Sequence, residues 1–368
     1  MLEGMNWKRT LWIGVLMGGW SMAESFGSVQ DLQAFVSKQA SNPAIVGLSI
    51  AVVAKGKVQW SAGYGQANKE KNLPVTPDTP FMLGSISKVV TGTAIMQAVE
   101  QGKLSLDADI RSLLPFDVAV KHLITLRQLA THTSGIHDDY DVLDASYGPG
   151  DSKTTLQTFL KRYLAVPKHF LATGSTYGYS NVGLGLAGYV LERKTGMPLN
   201  VWSEKQIFGP LGMKNTHWFL KGFPQTQKIA VPYDAQGNPL PHYGYPTWPD
   251  GQLRSSANDL GRFLAAMMNG GVLNGKRILQ SKTVQQMLKE QFPEVRKPRG
   301  QALFWELNKG LIGHNGGDEG VFTMMYFDPR THIGVVLLMN RQTEVTLQVG
   351  KTIFVRLLRE GGLEGLFR

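Results

Sequence analysis

Cysteine is absent from all 368 residues. That excludes disulfides, a cysteine nucleophile and Cys-ligated zinc. With 42% hydrophobic residues, a chain of this length can bury an ordinary core without covalent staples. Low-complexity stretches and short internal repeats are also missing, which leaves one large unit or two intimately packed subdomains. Acidic charge is in short supply, with 28 Asp+Glu against 38 Lys+Arg and a net charge of +10. The basic residues are scattered, without a basic run or an Arg/aromatic ladder. Solubility beside anionic polymers explains the excess better than DNA or RNA binding, and no nucleic-acid partner is expected. Metal-ligand patterns are lacking too. His132 and His137 stand near Asp138, Asp139 and Asp141 around a Gly turn, without zinc-helix or EF-hand spacing, so no metal is expected.

Long apolar runs are rare, and the one near the start is informative. Lys8-Arg9 precede LWIGVLMGGW, and Ser21-Met22-Ala23 then offers small residues for cleavage. Charged, apolar and small residues in that order read as a secretory signal peptide over 1–23. The run is short of the roughly 20 apolar residues of a spanning helix. An uncleaved anchor is the alternative, and no stable membrane span is expected after cleavage. No Cys follows the run to carry a lipid. A periplasmic or secreted bacterial protein, with contact to cell-wall polymers, is the expectation.

Beyond the leader, Ser28–Gln39 has the pattern of a short amphipathic helix. LSIAVVAKG (48–56) and KVQWSAGYG (57–65) read as strands joined at Lys55-Gly56-Lys57, a hairpin signal. From Ser85 to Gln101 apolar residues recur at helical spacing, and Gly102 supplies a stop. Residues 154–165 show a helical stripe, and 256–268 open on Ser256 and Asp259, a capping-box variant. Near the end QALFWEL (301–307), EGVFTMMYF (319–327) and HIGVVLLMN (332–340) read as strands, followed by a helix over about 343–358. The pattern predicts an α+β fold: one antiparallel sheet formed from both chain ends, flanked by helices, with a large helical subdomain inserted. The sheet subdomain is expected at about 24–84 and 300–368, and the mainly helical one at about 85–299.

The stretch YGYSNVGLGLAG (177–188) carries two competing signals. GLGLAG matches the glycine fingerprint of a dinucleotide site, which should follow a strand and open a helix in a βαβ unit. Here it lies inside a helical pattern with no strand before it, so the glycines are expected to permit close helix packing. The other signal is Tyr179 and Asn181, polar residues just before a helix whose side chains could share one cleft.

Ser85-Ile86-Ser87-Lys88 is the only S-x-x-K. Chance supplies roughly one such match in a protein this long, so placement matters more than the letters. Ser85 falls where a loop meets a helix, and Lys88 lies one turn along the same face. The positive end of the helix favours a developing alkoxide and disfavours a second cation, which suits a serine nucleophile with a neutral lysine as its base. The alternative is a helix N-cap followed by a surface lysine. A Tyr179 hydroxyl near Lys88 would have its ionised form stabilised and could relay the serine proton. Asn181 could hold a substrate carbonyl or orient Lys88; the alternative is a buried Tyr with an N-cap Asn. In HNGG (314–317), glycines let a substrate backbone lie close, and the Gly317 N–H could pair with that of Ser85 as an oxyanion hole.

Ser-x-x-Lys, then Tyr-Ser-Asn, then His-x-Gly at the start of the terminal sheet is an order that resembles the serine β-lactamase-like hydrolases. That group comprises class C β-lactamases, DD-peptidases, D-aminopeptidases and family VIII carboxylesterases. The resemblance covers nearly all of the mature chain, through PFMLGSISKVVTG, LRQLATHTSGI, YSNVGLGLAGYVLE, IFGPLGMKNTHW, DGQLRSSANDLGRFL and HNGGDEGVF. It implies Ser85 as the acylated nucleophile, Lys88 as base partner, Tyr179 as proton shuttle, Asn181 as substrate-orienting residue and His314 as the third-motif residue. The family often has Lys-Thr-Gly where this chain has His314-Asn315-Gly316. Losing that cation should weaken recognition of a β-lactam carboxylate. Thr173-Gly174 replaces an expected Pro-Gly. Arg254 offers a compensating cation if its loop borders the cleft, while Tyr243, Tyr245 and Trp248 are either walls of an acyl pocket or surface-loop residues.

The implied function is an exported serine hydrolase acting through an acyl-enzyme on small esters or amides, D-amino-acid peptides included, without a cofactor. A true β-lactamase is one alternative. A non-catalytic envelope protein that keeps the fold to bind peptidoglycan or a partner is the other.

Overall fold

The computed structural model describes residues 28–171, 176–295 and 299–360. The leader segment 1–23 and Thr173-Gly174 lie outside the described residues. The main sheet has eight strands. Three come from the first part of the chain: β1 (Gly47–Ala54), β2 (Lys57–Asn68) and β3 (Leu73–Pro74). Five come from the last part: β4 (Gly300–Gln301), β5 (Glu306–Asn308), β6 (Leu311–Asp318), β7 (Val321–Asp328) and β8 (Ile333–Met339). Their order is β4-β5-β6-β7-β8-β1-β2-β3, so β8 and β1 close the sheet between the two chain ends. Every ladder is antiparallel.

The β1–β2 hairpin turns where the sequence placed it. Lys55 (φ 50) and Gly56 (φ 76) both take left-handed backbone, as a two-residue hairpin turn matched to strand twist requires. In β1 successive side chains face opposite layers. Ala51 and Val53 join the core on the side of the inserted helices, whereas Leu48, Ile50 and Val52 join a second core. That second core lies under helices α1 (Val29–Ala40) and α6 (Glu344–Glu360), which pack on each other. Both faces of β1 and β8 are therefore covered, which is why these strands read as continuous apolar runs.

Between the halves of the sheet stand α2 (Ser87–Glu100), α3 (Leu156–Leu164), α4 (Asn181–Thr195) and α5 (Ala257–Met268). Helix α5 returns to the sheet and covers β1, β2 and β8. Ser256 caps it, with Oγ accepting from Asp259 N at 3.2 Å. The GLGLAG glycines do serve packing. A Cβ on Gly188 would lie 2.9 Å from Pro249 Cβ, and one on Gly185 would touch Thr247 at 3.4 Å. Small residues on α4 thus admit the 247–250 turn, which reaches the site described below.

One expected strand is largely not a strand. Only Gly300–Gln301 and Glu306–Asn308 of the 301–307 region pair in the sheet. Between them Ala302–Trp305 turn inward with all four side chains buried and Phe304 at φ 65. Phe304 N donates to Ala130 O, and its ring fills the space left by the missing side chain of Gly92 on α2. Apolar letters without clear alternation do not distinguish a strand from such a plug. Among the described residues, no helix is long and apolar enough to cross a membrane.

Candidate active site

Ser85 is placed by constraints on the residues just before it. Phe81–Met82 pair with Arg254–Ser255, Leu83 N donates to Leu253 O at 2.9 Å, and Leu83 O accepts from Thr323 Oγ1 at 2.6 Å. Gly84 follows at φ 57, and a Cβ there would lie 2.9 Å from Gly317 N. The backbone of the Ser85 turn is thus pressed against β6. Ser85 itself sits on a 3₁₀ turn, Gly84–Ile86, which runs directly into α2.

Lys88, one turn further, is 1% exposed. Its Nζ donates to Ser85 Oγ, Asn181 Oδ1 and the Asp250 carbonyl, each at 2.8 Å, and stands 3.6 Å from Asp250 Oδ2. Burial pulls its pKa below the ordinary lysine value, against the opposing pull of the Asp250 and Asp138 carboxylates. The same burial pushes the Asp250 carboxyl up to about 7 despite the neighbouring ammonium. The bland reading of Lys88 as a surface lysine therefore fails.

Tyr179 Oη donates to Ser85 Oγ at 2.7 Å, and Lys88 Nζ lies 5.0 Å from the centre of the Tyr179 ring. The expectation that the ammonium would favour phenolate is corrected. Burial pushes the Tyr179 pKa well above its ordinary value, so the phenol is the resting form and a proton donor.

Asn181 opens α4, and His314 lies on β6. The His314 ring is 2% exposed and 6.5 Å from the Tyr179 ring, centre to centre. Its Nδ1–H donates to Asn315 O at 2.6 Å, because a carbonyl can only accept. Strand geometry continues through the glycines because β6 runs close to its neighbours. A Cβ on Gly313 would strike Met325 O, and one on Gly316 would strike Leu83 O and Thr323 Oγ1. Gly316→Ala should therefore push the Ser85 turn off β6, at about 1–3 kcal/mol of stability for overpacking. Urea denaturation should show that loss, and intact-mass labelling of Ser85 should slow at least severalfold. Unchanged stability and labelling would mean the contact yields freely.

Two residues that organise the site stood in the sequence only as a discarded metal cluster. Asp138 is fully buried and accepts from Ser180 Oγ at 2.9 Å, Asn181 N at 2.7 Å and Val182 N at 3.2 Å. It satisfies N–H groups at the start of α4 and fixes the Tyr179–Asn181 segment. His132, at φ 58, stacks on Tyr179 with ring centres 4.2 Å apart. Its Nδ1 accepts from Ser180 N at 3.1 Å, so the proton of the neutral ring is on Nε2. Among the described residues, no group of three or more His, Asp or Glu could hold a metal ion.

Arg254 does not border the cleft as a free cation. It is 1% exposed, donates to Tyr243 O at 2.7 Å and Gln252 O at 3.3 Å, and braces the ribbon that carries Met82. Tyr243 and Tyr245 are buried beside Tyr147, at ring separations of 5.7 and 4.6 Å, and Tyr147 Oη reaches Asp318 Oδ2 at 3.2 Å. They form an aromatic wall next to β6. Trp248 instead packs on Trp218 and Phe219, in the helical core.

A large antiparallel sheet flanked by helices, with a serine contacted by a buried lysine and a tyrosine, defines the β-lactamase/transpeptidase-like class of hydrolase fold. The Beta-lactamase family profile matches residues 32–359, and the chain belongs to that family. Among relatives, Protein flp of Staphylococcus aureus (strain N315) is 24% identical over 329 residues. That match covers 86% of this chain but only 64% of the relative's length. Esterase EstB of Burkholderia gladioli is 33% identical over 207 residues, 52% of each protein. The solved structure of D-alanine carboxypeptidase AmpC from Burkholderia cenocepacia shares 26% identity at a TM-score of 0.70, covering 89% of this chain and 99% of that one.

Proposed function

We propose that this protein is an exported serine hydrolase that forms an acyl-enzyme at Ser85 and releases it to water. The carrying observation is the convergence of Lys88 Nζ and Tyr179 Oη on Ser85 Oγ, at 2.8 and 2.7 Å. Once the Lys88 ammonium has lost a proton to solvent, Ser85 Oγ attacks the substrate carbonyl carbon while its own proton passes to the free amine. The N–H groups of Ser85 and Gly317 hold the oxyanion. The bond to the leaving group breaks, Tyr179 supplies the departing oxygen or nitrogen with a proton, and Lys88 reprotonates Tyr179. Water then attacks the acyl-enzyme through the same groups in reverse, which releases the acid and restores the Ser85 hydroxyl. Asn181 orients the substrate carbonyl and Lys88 together.

Small esters and amides, with D-amino-acid peptides among them, are the proposed substrates. The likeness to an esterase and a D-alanine carboxypeptidase supports that class. His314 in place of a permanent cation argues against efficient turnover of a carboxylate-bearing β-lactam. The deciding comparison is steady-state turnover of an activated acetyl ester, a D-alanyl peptide and a penicillin by one preparation. The ester or peptide is expected to exceed the penicillin in kcat/KM by about tenfold or more, the span of one lost charge contact. A faster penicillin would favour a true β-lactamase. Tight muropeptide binding without turnover of any of the three would favour a binding protein.

A further inference from the structure

We propose that Asp250 is a positioning residue for Lys88, its carboxylate holding the ammonium that Lys88 becomes on taking the Ser85 proton. This rests on the acyl-enzyme reading above and concerns what sets the strength of its base.

Two parts of Asp250 meet Lys88, and they do different work. The backbone carbonyl accepts from Nζ at 2.8 Å and would do so with any side chain at this position. The carboxylate adds a charge at 3.6 Å. Among the described residues it is the one carboxylate within ion-pair distance of Lys88. Asp138 also pulls on Lys88, but its oxygens are committed to Ser180 and the first N–H groups of α4.

The carboxylate is held in place. Thr91 Oγ1 on α2 donates to Pro249 O at 2.7 Å, and α4 presents Gly188 to the Pro249 ring. Asp250 N donates to Thr247 O at 2.9 Å, so the turn is closed on itself. Its side chain is 7% exposed, which excludes the water that would screen the pair.

The remaining groups facing the pair come from several elements. Asp138 and Tyr140 approach from the segment before α3, Tyr179 from just before α4, Tyr147 and Tyr245 from the aromatic wall, Thr247 from the turn itself, and Asp318 from β6. Those with charge are carboxylates, and Lys88 is the cation they surround. Asp250 thus offsets the burial that would otherwise leave Lys88 too weak a base, and it stabilises the ammonium as it forms.

The sign follows from the charge. A carboxylate beside a lysine raises the pH at which the amine loses its proton. Its removal lowers that pH, so free amine appears in more acidic solution. In Asp250→Asn, which keeps the backbone carbonyl, the acid limb of kcat/KM on an activated ester should move down by at least about one pH unit, a tenfold change in that equilibrium. The plateau should fall about tenfold or more, because the ammonium loses its counter-charge. Asp250→Glu should return the limb most of the way to that of the unaltered protein.

An unmoved acid limb in Asp250→Asn, with the fluorophosphonate adduct on Ser85 still forming, overturns the proposal and leaves the acyl-enzyme reading standing. Absence of any adduct on the folded, unaltered protein overturns the acyl-enzyme reading itself. If the neutral variant does not fold, the unaltered protein labelled with 13C at Lys Cε and Asp Cγ carries the test. Its Lys88 signal, assigned by loss in Lys88→Arg, should share its titration steps with Asp250, as a coupled pair must. Independent titration of the two overturns the proposal.

Discussion

Ser85→Ala is expected to abolish covalent labelling by a fluorophosphonate and to cut ester turnover by at least about a thousandfold, with the fold intact. The size follows from what the hydroxyl does. Lys88 Nζ and Tyr179 Oη both donate to Ser85 Oγ, so in the proposed reaction every proton transfer passes through or beside this one atom. Without it the surviving N–H groups can still polarise a carbonyl, but no acyl bond forms and the covalent route closes. Stability should change little. The alanine deprives Lys88 of one acceptor of three, and the Asn181 and Asp250 oxygens remain at 2.8 Å. The turn at Gly84 is set through the Leu83 backbone, which donates to Leu253 O and accepts from the Thr323 hydroxyl, bonds that the substitution leaves alone. Intact-mass spectrometry, ester kinetics and thermal melting on paired preparations check all three points. An adduct that persists on the alanine variant would place the nucleophile elsewhere.

How much of this was legible in the sequence depends on the range over which each residue's environment is set. The β1–β2 hairpin and the cap on α5 were readable because they involve neighbours in the chain, whereas α4 is capped by Ser180 and not by Asn181, the cap the sequence offered. Ser180 accepts from Gly183 N and Ser256 from Asp259 N, each three residues on. Motif order and resemblance placed Ser85, Lys88, Tyr179, Asn181, His314 and Gly317 in one region, and the structure brings them together. The polarity of that region was not legible. Tyr179 was expected to favour its ionised form beside a lysine, but burial acts the other way, and burial depends on the whole fold. Asp250 comes to Lys88 only because the glycines on α4 let the 247–250 turn approach, a contact across 162 positions. Asp138 stood next to His137 and resembled a weak cation site until the start of α4 folded onto it. Ala302–Trp305 have strand-like letters, but their destination is the gap beside Gly92, which no local pattern encodes.

Asp138→Ala is expected to be the most damaging single change outside the reacting atoms. It should cost about 2–4 kcal/mol in urea denaturation, the range for removing a charged acceptor of several buried hydrogen bonds. The carboxylate is buried, and that burial raises its pKa, so its charge is itself expensive. Three donors justify the expense: Ser180 Oγ, Asn181 N and Val182 N. The alanine removes the costly charge but leaves two helix N–H groups and a hydroxyl without that acceptor, away from water. The second loss outweighs the first, because unmade buried bonds carry the full desolvation penalty. Activity should fall too, by more than the unfolded fraction explains. Tyr179 and Asn181 flank the residue whose hydroxyl Asp138 holds, so their aim at Ser85 and Lys88 loosens together. Asp138→Asn separates the two effects. It keeps one oxygen for the helix but turns an amide N–H₂ toward remaining donors, so it should recover part of the stability and little of the activity. If Asp138→Ala melts like the unaltered protein and labels at the same rate, then His132, which stacks on Tyr179 and accepts from Ser180 N, holds the segment by itself.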